Sequence, residues 1–144
     1  MSICAELRQG VVTKSAEETR RLAGKLATAL PPVATLALHG DLGVGKTTFV
    51  QGLAHGLGVT ERVTSPTFAI YSVHRGGSRP LIHLDAYRLD GAQQIESLLL
   101  EEYLVGSYCL AVEWPERIAG WLPADTWHLT LSIEEGDRHR VVLR

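Results

Sequence analysis

Apolar residues recur at every fourth position in the first clear helical segment of the chain. Leu22, Leu26 and Leu30 form this row, with alanines beside them, and they give the segment one apolar face. Ser15 and Glu18 precede the row at the spacing of a capping box, in which each side chain satisfies a backbone N–H at the start of a helix. The pattern therefore predicts a helix that begins near Ser15 and ends at the two prolines after Leu30.

Short apolar runs bounded by turn residues predict the strands. The run at 33–38 follows a proline break and is too short for an amphipathic helix, so it is best interpreted as a buried parallel strand. Runs at 68–73 and 81–84 flank the turn at 75–79, whose Gly-Gly pair is typical of a hairpin tip. A buried strand and a final hairpin complete the predicted set, at 108–112 and at 127–133 with 139–143.

Helical patterns lie between these strands. Apolar residues at 49–57 repeat every third or fourth position and predict a helix that ends at Gly58. The segment at 92–104 predicts a broken helix, and the segment at 114–121 predicts a short one. The helical segments are therefore interleaved with the predicted strands.

This order of elements predicts the fold class. Strands that alternate with helices early in the chain, followed by additional strands, favour an α/β fold. We expect a central, mostly parallel sheet covered on both faces, with a C-terminal antiparallel hairpin. A length of 144 residues falls in the range of one domain and is sufficient to bury a core, so residues 1–144 are expected to form a single domain.

An uninterrupted phosphate-binding motif lies between the strand at 33–38 and the helix at 49–57. Residues 40–48 match G-x-x-x-x-G-K-S/T. The glycines let backbone N–H groups point at phosphate oxygens, and the following helix presents the positive end of its dipole. Lys46 would reach the β- and γ-phosphates, and the Thr47 hydroxyl would complete magnesium coordination. The motif predicts a three-layer P-loop NTPase that binds a nucleoside triphosphate with magnesium through Asp41, Leu42, Gly43, Val44, Gly45, Lys46, Thr47 and Thr48.

Two acidic residues end apolar strands downstream of this motif. Asp85 follows the run at 81–84, and Glu113 follows the run at 108–112. A P-loop enzyme needs a carboxylate at a strand end to hold magnesium, and often a second group to orient the attacking water. One such acid alone could merely cap the following turn, but two together favour a catalytic role. The spacing leaves open which of them binds the metal ion.

The segment at 64–68 joins the P-loop helix to the next strand and is rich in hydroxyl groups. In P-loop proteins this position often carries a loop whose hydroxyl meets the γ-phosphate and magnesium. A plain turn explains the same composition, so both interpretations stay open. His83 is interpreted as a packed strand histidine, and Trp114 and Trp121 are interpreted as core or cleft-wall residues.

Composition narrows the function classes. The formal net charge is -2, so no global positive field attracts the chain to nucleic acid or to anionic lipid. No apolar run reaches the roughly 18 residues of a membrane helix. Two unpaired cysteines fit a reducing cytoplasm, where we expect the protein to act without a membrane. The chain contains no Asn, which disfavours a GTPase because the guanine-reading N-K-x-D motif requires one.

Four motifs, in their order and spacing, resemble the TsaE family, the bacterial ATPases of tRNA threonylcarbamoyladenosine biosynthesis. They are G-D-L-G-V-G-K-T-T at 40–48, S-P-T-F at 65–68, H-L-D-A-Y-R-L at 83–89 and V-E-W-P at 112–115. The P-loop occurs in many families, whereas the combination of the other three is far more specific. The resemblance covers nearly the whole chain, although Phe68 stands where the family often has Tyr.

The resemblance implies a slow ATPase that acts with two partner proteins. These are the catalytic threonylcarbamoyl transferase subunit and its paralogous companion, which install the threonylcarbamoyl group on adenosine 37 of tRNAs reading codons that begin with A. Turnover of ATP would reset or activate that complex, and tRNA would be reached indirectly through it.

The resemblance also implies roles for individual residues. By analogy, Thr47 and Glu113 would bind magnesium, and Asp85 and Thr67 would lie near the γ-phosphate. The implied catalytic set is therefore Lys46, Asp85, Glu113 and Thr67. Tyr87 and Arg88 would belong to the surface near the nucleotide.

A small-molecule P-loop kinase is the main alternative. Such an enzyme needs a substrate pocket and usually an arginine-bearing lid over the phosphates. The only candidate lid in this sequence is the short segment at 75–79. A nucleotide-dependent interaction module is a third interpretation, and an increase of ATP turnover on addition of partners would separate it from the ATPase.

Overall fold

The strands form one mixed sheet in which the central strands are parallel. The computed structural model describes residues 1–41, 43–66 and 70–144. Within these residues the sheet order is β1-β7-β6-β2-β5-β4-β3. Strands β6, β2, β5 and β4 run parallel, whereas β1, β7 and β3 pair antiparallel at the two edges. The strands are β1 (Val11–Thr13), β2 (Val33–His39), β3 (Tyr71–His74), β4 (Leu81–Asp85), β5 (Tyr108–Glu113), β6 (Trp127–Ile133) and β7 (His139–Leu143).

Helices cover both faces of this sheet. Strand residues alternate between the faces, so Leu36 and Ala111 pack into one apolar cluster and Leu110 into the other. The first cluster is closed by α2 and α3, and the second by short helical segments that follow β4 and β5. The helices are α1 (Ile3–Gln9), α2 (Ala16–Ala29), α3 (Lys46–Gly56) and α4 (Gln93–Glu96), with 3-10 helices at Leu100–Glu102, Pro115–Trp121 and Glu135–Asp137. The predicted α/β fold, with its parallel centre and its C-terminal antiparallel hairpin β6–β7, is confirmed.

The start of α2 shows how locally specified a helix boundary can be. The Ser15 hydroxyl accepts a hydrogen bond from the Glu18 backbone N–H at 3.1 Å. The Glu18 carboxylate in turn accepts one from the backbone N–H of Lys14 at 3.2 Å, one residue before the N-cap. The predicted capping box is therefore present, with its second hydrogen bond moved by one residue.

Three parts of the chain differ from the sequence prediction. The helix at 92–104 is reduced to the four residues of α4 and a 3-10 turn, because Leu99 between them has φ +57° and cannot continue a helix. Neither α1 nor β1 was predicted, since each is short, and β1 exists through its pairing with β7. The strand predicted at 68–73 is observed from Tyr71, and residues 67–69 lie outside the described ranges.

The longest of the helices described is α2, with 14 residues. Across the described residues, no helix combines the length and the apolar character needed to cross a membrane.

Candidate functional site

The phosphate-binding motif lies where the central strand β2 ends and α3 begins. Gly45 is the N-cap of α3 with φ +96°, a conformation that favours glycine, and it supplies no side-chain cap. Its carbonyl accepts the first helical hydrogen bond from the Phe49 N–H at 2.9 Å. The N–H groups of the first turn therefore have no side-chain cap and are available to an anion.

Gly40 holds the start of the loop against the sheet. Its φ is +143°, and a Cβ atom on it would lie 2.5 Å from the carbonyl oxygen of Leu131 on β6 and 2.7 Å from a methyl group of Val44. Any side chain at this position would push the loop away from β6. The loop is thus fixed at the carboxyl end of the parallel strands, where α/β proteins bind ligands.

Lys46 is the first residue of α3, and it is buried, with only 4% of its surface exposed. Its ammonium donates to the carbonyl oxygen of Gly40 at 2.8 Å and lies 3.9 Å from the centre of the Trp114 ring. Burial lowers the pKa of Lys46, although the charges of Glu113 and other nearby acids oppose that shift. The loop therefore contains a poorly solvated cation, which an entering phosphate would stabilise.

The two strand-end acids lie side by side. Asp85 of β4 is paired in register with Glu113 of β5, and strand alternation places both on the face covered by α3. Glu113 is 5% exposed, and its Oε2 lies 2.5 Å from Nε2 of the fully buried His83. Asp85 is partly exposed, and its Oδ1 accepts a hydrogen bond from the Tyr87 N–H at 3.0 Å. Asp85 thus caps the following turn with one oxygen, whereas Glu113 does not.

Trp114 forms one wall of the site. Its backbone has φ +56°, in the left-handed region, at the turn that follows β5. One neighbour of its ring is Lys46, and the other is Tyr87, at 5.1 Å between ring centres. The Arg117 guanidinium lies 5.5 Å from the Tyr87 ring. Two adjacent aromatic rings with a cation at each end therefore run from the P-loop to the protein surface, where Tyr87 is 54% exposed.

The structure brings most of the predicted site residues to the carboxyl ends of the parallel strands. Thr47 and Thr48 are half-buried at the start of α3, and Asp41 and Gly43 are exposed in the loop. Arg88 is exposed next to Tyr87 in the chain. Leu42, Thr67 and Phe68 lie outside the described residues, so the roles predicted for them remain predictions.

Comparison with known proteins agrees with this geometry. The sequence model of the family described as "Threonylcarbamoyl adenosine biosynthesis protein TsaE" matches residues 13–142. The chain belongs to the TsaE family.

Individual relatives support the same assignment. The tRNA threonylcarbamoyladenosine biosynthesis protein TsaE of Bacillus subtilis is 40% identical over 130 residues, which cover 90% of this chain and 80% of the relative. The protein of that name from Treponema pallidum is 36% identical over 132 residues, covering 91% and 97%. The crystal structure of Bacillus subtilis YdiB has a TM-score of 0.79 and 34% identity, covering 93% of this chain and 82% of that one. YdiB shares the P-loop NTPase-like fold.

Three features of this TsaE chain were not anticipated from its sequence. His83 is buried in β4, as its interpretation as a packed strand histidine predicted, but its contact with the Glu113 carboxylate was not predicted. Trp114 lies at a wall of the site, one of the two positions predicted for it, but its contact with Lys46 was not predicted. A third feature is the contact of His39 with His128. The available signal for His83 was its position two residues before Asp85, which places both on one face of the strand.

His39 ends β2 immediately before the P-loop. Its Nε2 shares a 2.9 Å hydrogen bond with Nδ1 of His128 on β6, and the two rings lie 5.1 Å apart. One ring must donate and the other must accept, so the bond is lost if both rings are protonated. Burial lowers the pKa of His39 below its ordinary value, with further contributions from the charges of Arg144 and His128.

We expect this pair to make the folded chain less stable at acidic pH. The unfolded chain binds a proton at His39 near pH 6.5, whereas the folded chain does so only at lower pH, so the free energy of unfolding falls as pH drops below about 6.5. Chemical denaturation at pH 7.5, 6.5 and 5.5 measures this slope. In His39→Gln the slope should be shallower, at a cost of about 1 kcal/mol at pH 7.5 from the altered hydrogen bond. An unchanged slope would contradict the assignment to His39.

Proposed function

We propose that this member of the TsaE family is a magnesium-dependent ATPase that serves tRNA threonylcarbamoyladenosine biosynthesis. The observation that carries the proposal is the buried Lys46 ammonium, held in a P-loop whose following helix has an uncapped N-terminus. The pathway comes from the relatives, whose names describe tRNA threonylcarbamoyladenosine biosynthesis proteins.

The P-loop is proposed to bind the phosphates of ATP. Residues 41–48 surround the bound phosphates in this proposal, with backbone N–H groups of the loop and of the first turn of α3 as donors. Lys46 exchanges its contact with Gly40 for the β- and γ-phosphate oxygens. Absence of Asn from the chain removes the guanine-reading motif, which favours adenine nucleotides.

Magnesium is proposed to be held by Thr47 and Glu113. Both supply hard oxygen donors, the kind that this ion prefers, and Glu113 has one oxygen engaged by His83 and a second one to offer. A magnesium ion held by these residues would neutralise negative charge that develops on the phosphates. Thr47 is half-buried and directly follows Lys46, so it lies at the same end of the sheet as Lys46 and Glu113.

Water is the proposed phosphoryl acceptor. The bond between the γ-phosphorus and the β–γ bridging oxygen breaks as a water oxygen bonds to the γ-phosphorus, giving ADP and inorganic phosphate. Asp85 is proposed to orient this water and take a proton from it. Its Oδ1 accepts a hydrogen bond from the Tyr87 N–H, which leaves Oδ2 for the water, and the residue is partly exposed. Thr67 is proposed to meet the γ-phosphate.

The hairpin at 75–79 gives no support to a kinase. The Ser78 N–H donates to the carbonyl oxygen of Leu57, which follows the last residue of α3. This places the hairpin tip at the end of α3 opposite the P-loop, about 16 Å away for a helix of 11 residues. Its arginines therefore lie far from the phosphates, which supports water as the acceptor.

Hydrolysis is proposed to act through partners. The chain would work as a single P-loop domain in the cytoplasm with the catalytic threonylcarbamoyl transferase subunit and its paralogous companion, and it would reach tRNA through them. The segment that contains Thr67 would order on the γ-phosphate and relax after its loss, so that the partners distinguish the ATP state from the ADP state.

Partner-stimulated hydrolysis tests this proposal. We expect weak ATP turnover by the chain alone and a rate at least about tenfold higher with the transferase complex, a coupling of ordinary size between two sites. Phosphate release is followed with ATP and, as the control nucleotide, with GTP, which should be hydrolysed poorly in both conditions. If the rate of ATP hydrolysis is the same with and without the complex, and a small metabolite is phosphorylated, the kinase is favoured instead.

A further inference from the structure

His83 lies on β4 and is completely buried between the sheet and the α3 layer. Its Nε2 is 2.5 Å from Oε2 of Glu113, and Glu113 itself is only 5% exposed. Strand register explains the contact, because His83 pairs with Ala111 and therefore stands two residues from the strand-end acid on the same face. The two side chains form a buried pair directly beneath the proposed magnesium site.

Within the described part of the chain, only one nitrogen of the His83 ring has a hydrogen-bond partner. Among the described residues, none bonds to Nδ1 of His83. A carboxylate accepts hydrogen bonds and does not donate them, so Nε2 carries the hydrogen and donates it to Glu113. The polar contact that orients the ring is thus the one with Glu113, and the same contact restricts the rotamer of Glu113.

We propose that His83 is a positioning residue that holds the Glu113 carboxylate in the orientation needed to bind magnesium. This inference rests on the proposed role of Glu113 as a magnesium ligand. The Nε2–H engages Oε2 and leaves Oε1 for the ion. Groups that hydrogen-bond a metal ligand are a general requirement of metal sites, and their loss typically lowers metal affinity or activity about 10- to 100-fold.

Two substitutions separate this role from simple packing. His83→Leu fills the space and removes the donor. His83→Gln keeps a donor, because its amide nitrogen reaches about as far from the backbone as Nε2 does. The matched control is His74→Leu, which breaks a second His–Glu pair on the neighbouring strand: Nδ1 of His74 lies 2.5 Å from Oε1 of Glu61, and His74 is 7% exposed.

The experiment titrates magnesium into each variant in the presence of a non-hydrolysable ATP analogue, and calorimetry measures the magnesium affinity. His83→Leu should require about 10- to 100-fold more magnesium, while its binding of ADP in EDTA stays at the wild-type value. His83→Gln should recover most of the wild-type magnesium affinity, and His74→Leu should leave it unchanged. A merely structural role would lower the thermal midpoint without selectively changing magnesium affinity.

Each failure has its own signature. A folded His83→Leu chain with wild-type magnesium affinity overturns the positioning role. If that variant does not fold, His83→Asn is used instead, because the asparagine amide is too short to reach Glu113. Equal magnesium affinities in the Asn and Gln variants would then overturn the positioning role as well. If the wild-type chain binds the ATP analogue with the same affinity with and without magnesium, both the proposed function and this inference are overturned.

Discussion

Replacing Lys46 by alanine is expected to lower the rate of ATP hydrolysis at least about 100-fold. The ammonium is buried in the P-loop, where a charge acts on developing negative charge far more strongly than it would in water. Removing one preorganised group of this kind from a site costs about 3 kcal/mol or more of transition-state stabilisation. The expected loss therefore lies mainly in kcat, measured as phosphate release at saturating ATP.

The interpretation of this variant requires a check on folding, because Lys46 also contacts Gly40 and Trp114. Lys46→Met keeps an apolar side chain beside the Trp114 ring and removes only the charge, so it should be as inactive as the alanine variant. Lys25→Ala removes an exposed lysine from α2 and should hydrolyse ATP at the wild-type rate. A folded Lys46→Met chain with wild-type turnover would refute the P-loop assignment.

Replacing Glu113 by Gln is expected to weaken magnesium-dependent nucleotide binding by about tenfold or more and to slow turnover as well. An amide oxygen is a poorer ligand than a carboxylate for a hard divalent cation. Asp85→Asn should instead leave magnesium affinity near the wild-type value and reduce kcat about 100-fold or more, as for loss of a general base. Magnesium titration and phosphate release, carried out on both variants, measure the two effects separately.

The adjacent positions of the two acids make this comparison informative. Asp85 and Glu113 are register partners, so a nonspecific disturbance of the sheet edge would affect both properties in both variants. Glu101→Gln, in an exposed 3-10 helix, is the matched control and should change neither property. Loss of metal dependence in the Asp85 variant alone would exchange the proposed roles.

Features encoded within a short stretch of chain were the ones that the sequence predicted. Ser15 and Glu18 lie three residues apart, and their capping interaction is observed at the start of α2. The strands that end in Asp85 and Glu113 are apolar runs closed by an acid, and their parallel pairing places both acids at one edge. Local periodicity and the directions of parallel strands were sufficient to locate this edge.

The mostly parallel sheet was predicted, but the side-chain contacts and the short strand that depend on its strand order and register were not. His39 and His128 are 89 residues apart, and their contact exists only because β2 and β6 are neighbours in this register. His83 likewise contacts Glu113 because β4 and β5 are neighbours in their register. The strand β1 has three residues, too few for a periodic signal, and its existence depends on β7. Such contacts follow from sheet order, which local patterns do not contain.

The orientation of the Trp114 ring depends on a single backbone angle. The residue was interpreted as a core or cleft-wall residue, but the direction of its ring follows from a backbone φ of +56°, which no periodic pattern reveals. This conformation is uncommon for a bulky residue, and here it places the ring against Lys46. The contact between this wall residue and Lys46 was therefore visible only in the structure.

Formation of threonylcarbamoyladenosine in a reconstituted reaction tests the central claim most directly. The reaction contains tRNA, the transferase complex and the threonylcarbamoyl donor, with ATP and either the wild-type chain, Lys46→Met or no chain. We expect the wild-type protein to raise the amount of modified tRNA above that of the reaction without the chain, and Lys46→Met to give no such increase. Equal modification with wild-type and a folded Lys46→Met chain would contradict this expectation, because the ATP chemistry of this P-loop would then be irrelevant to the pathway.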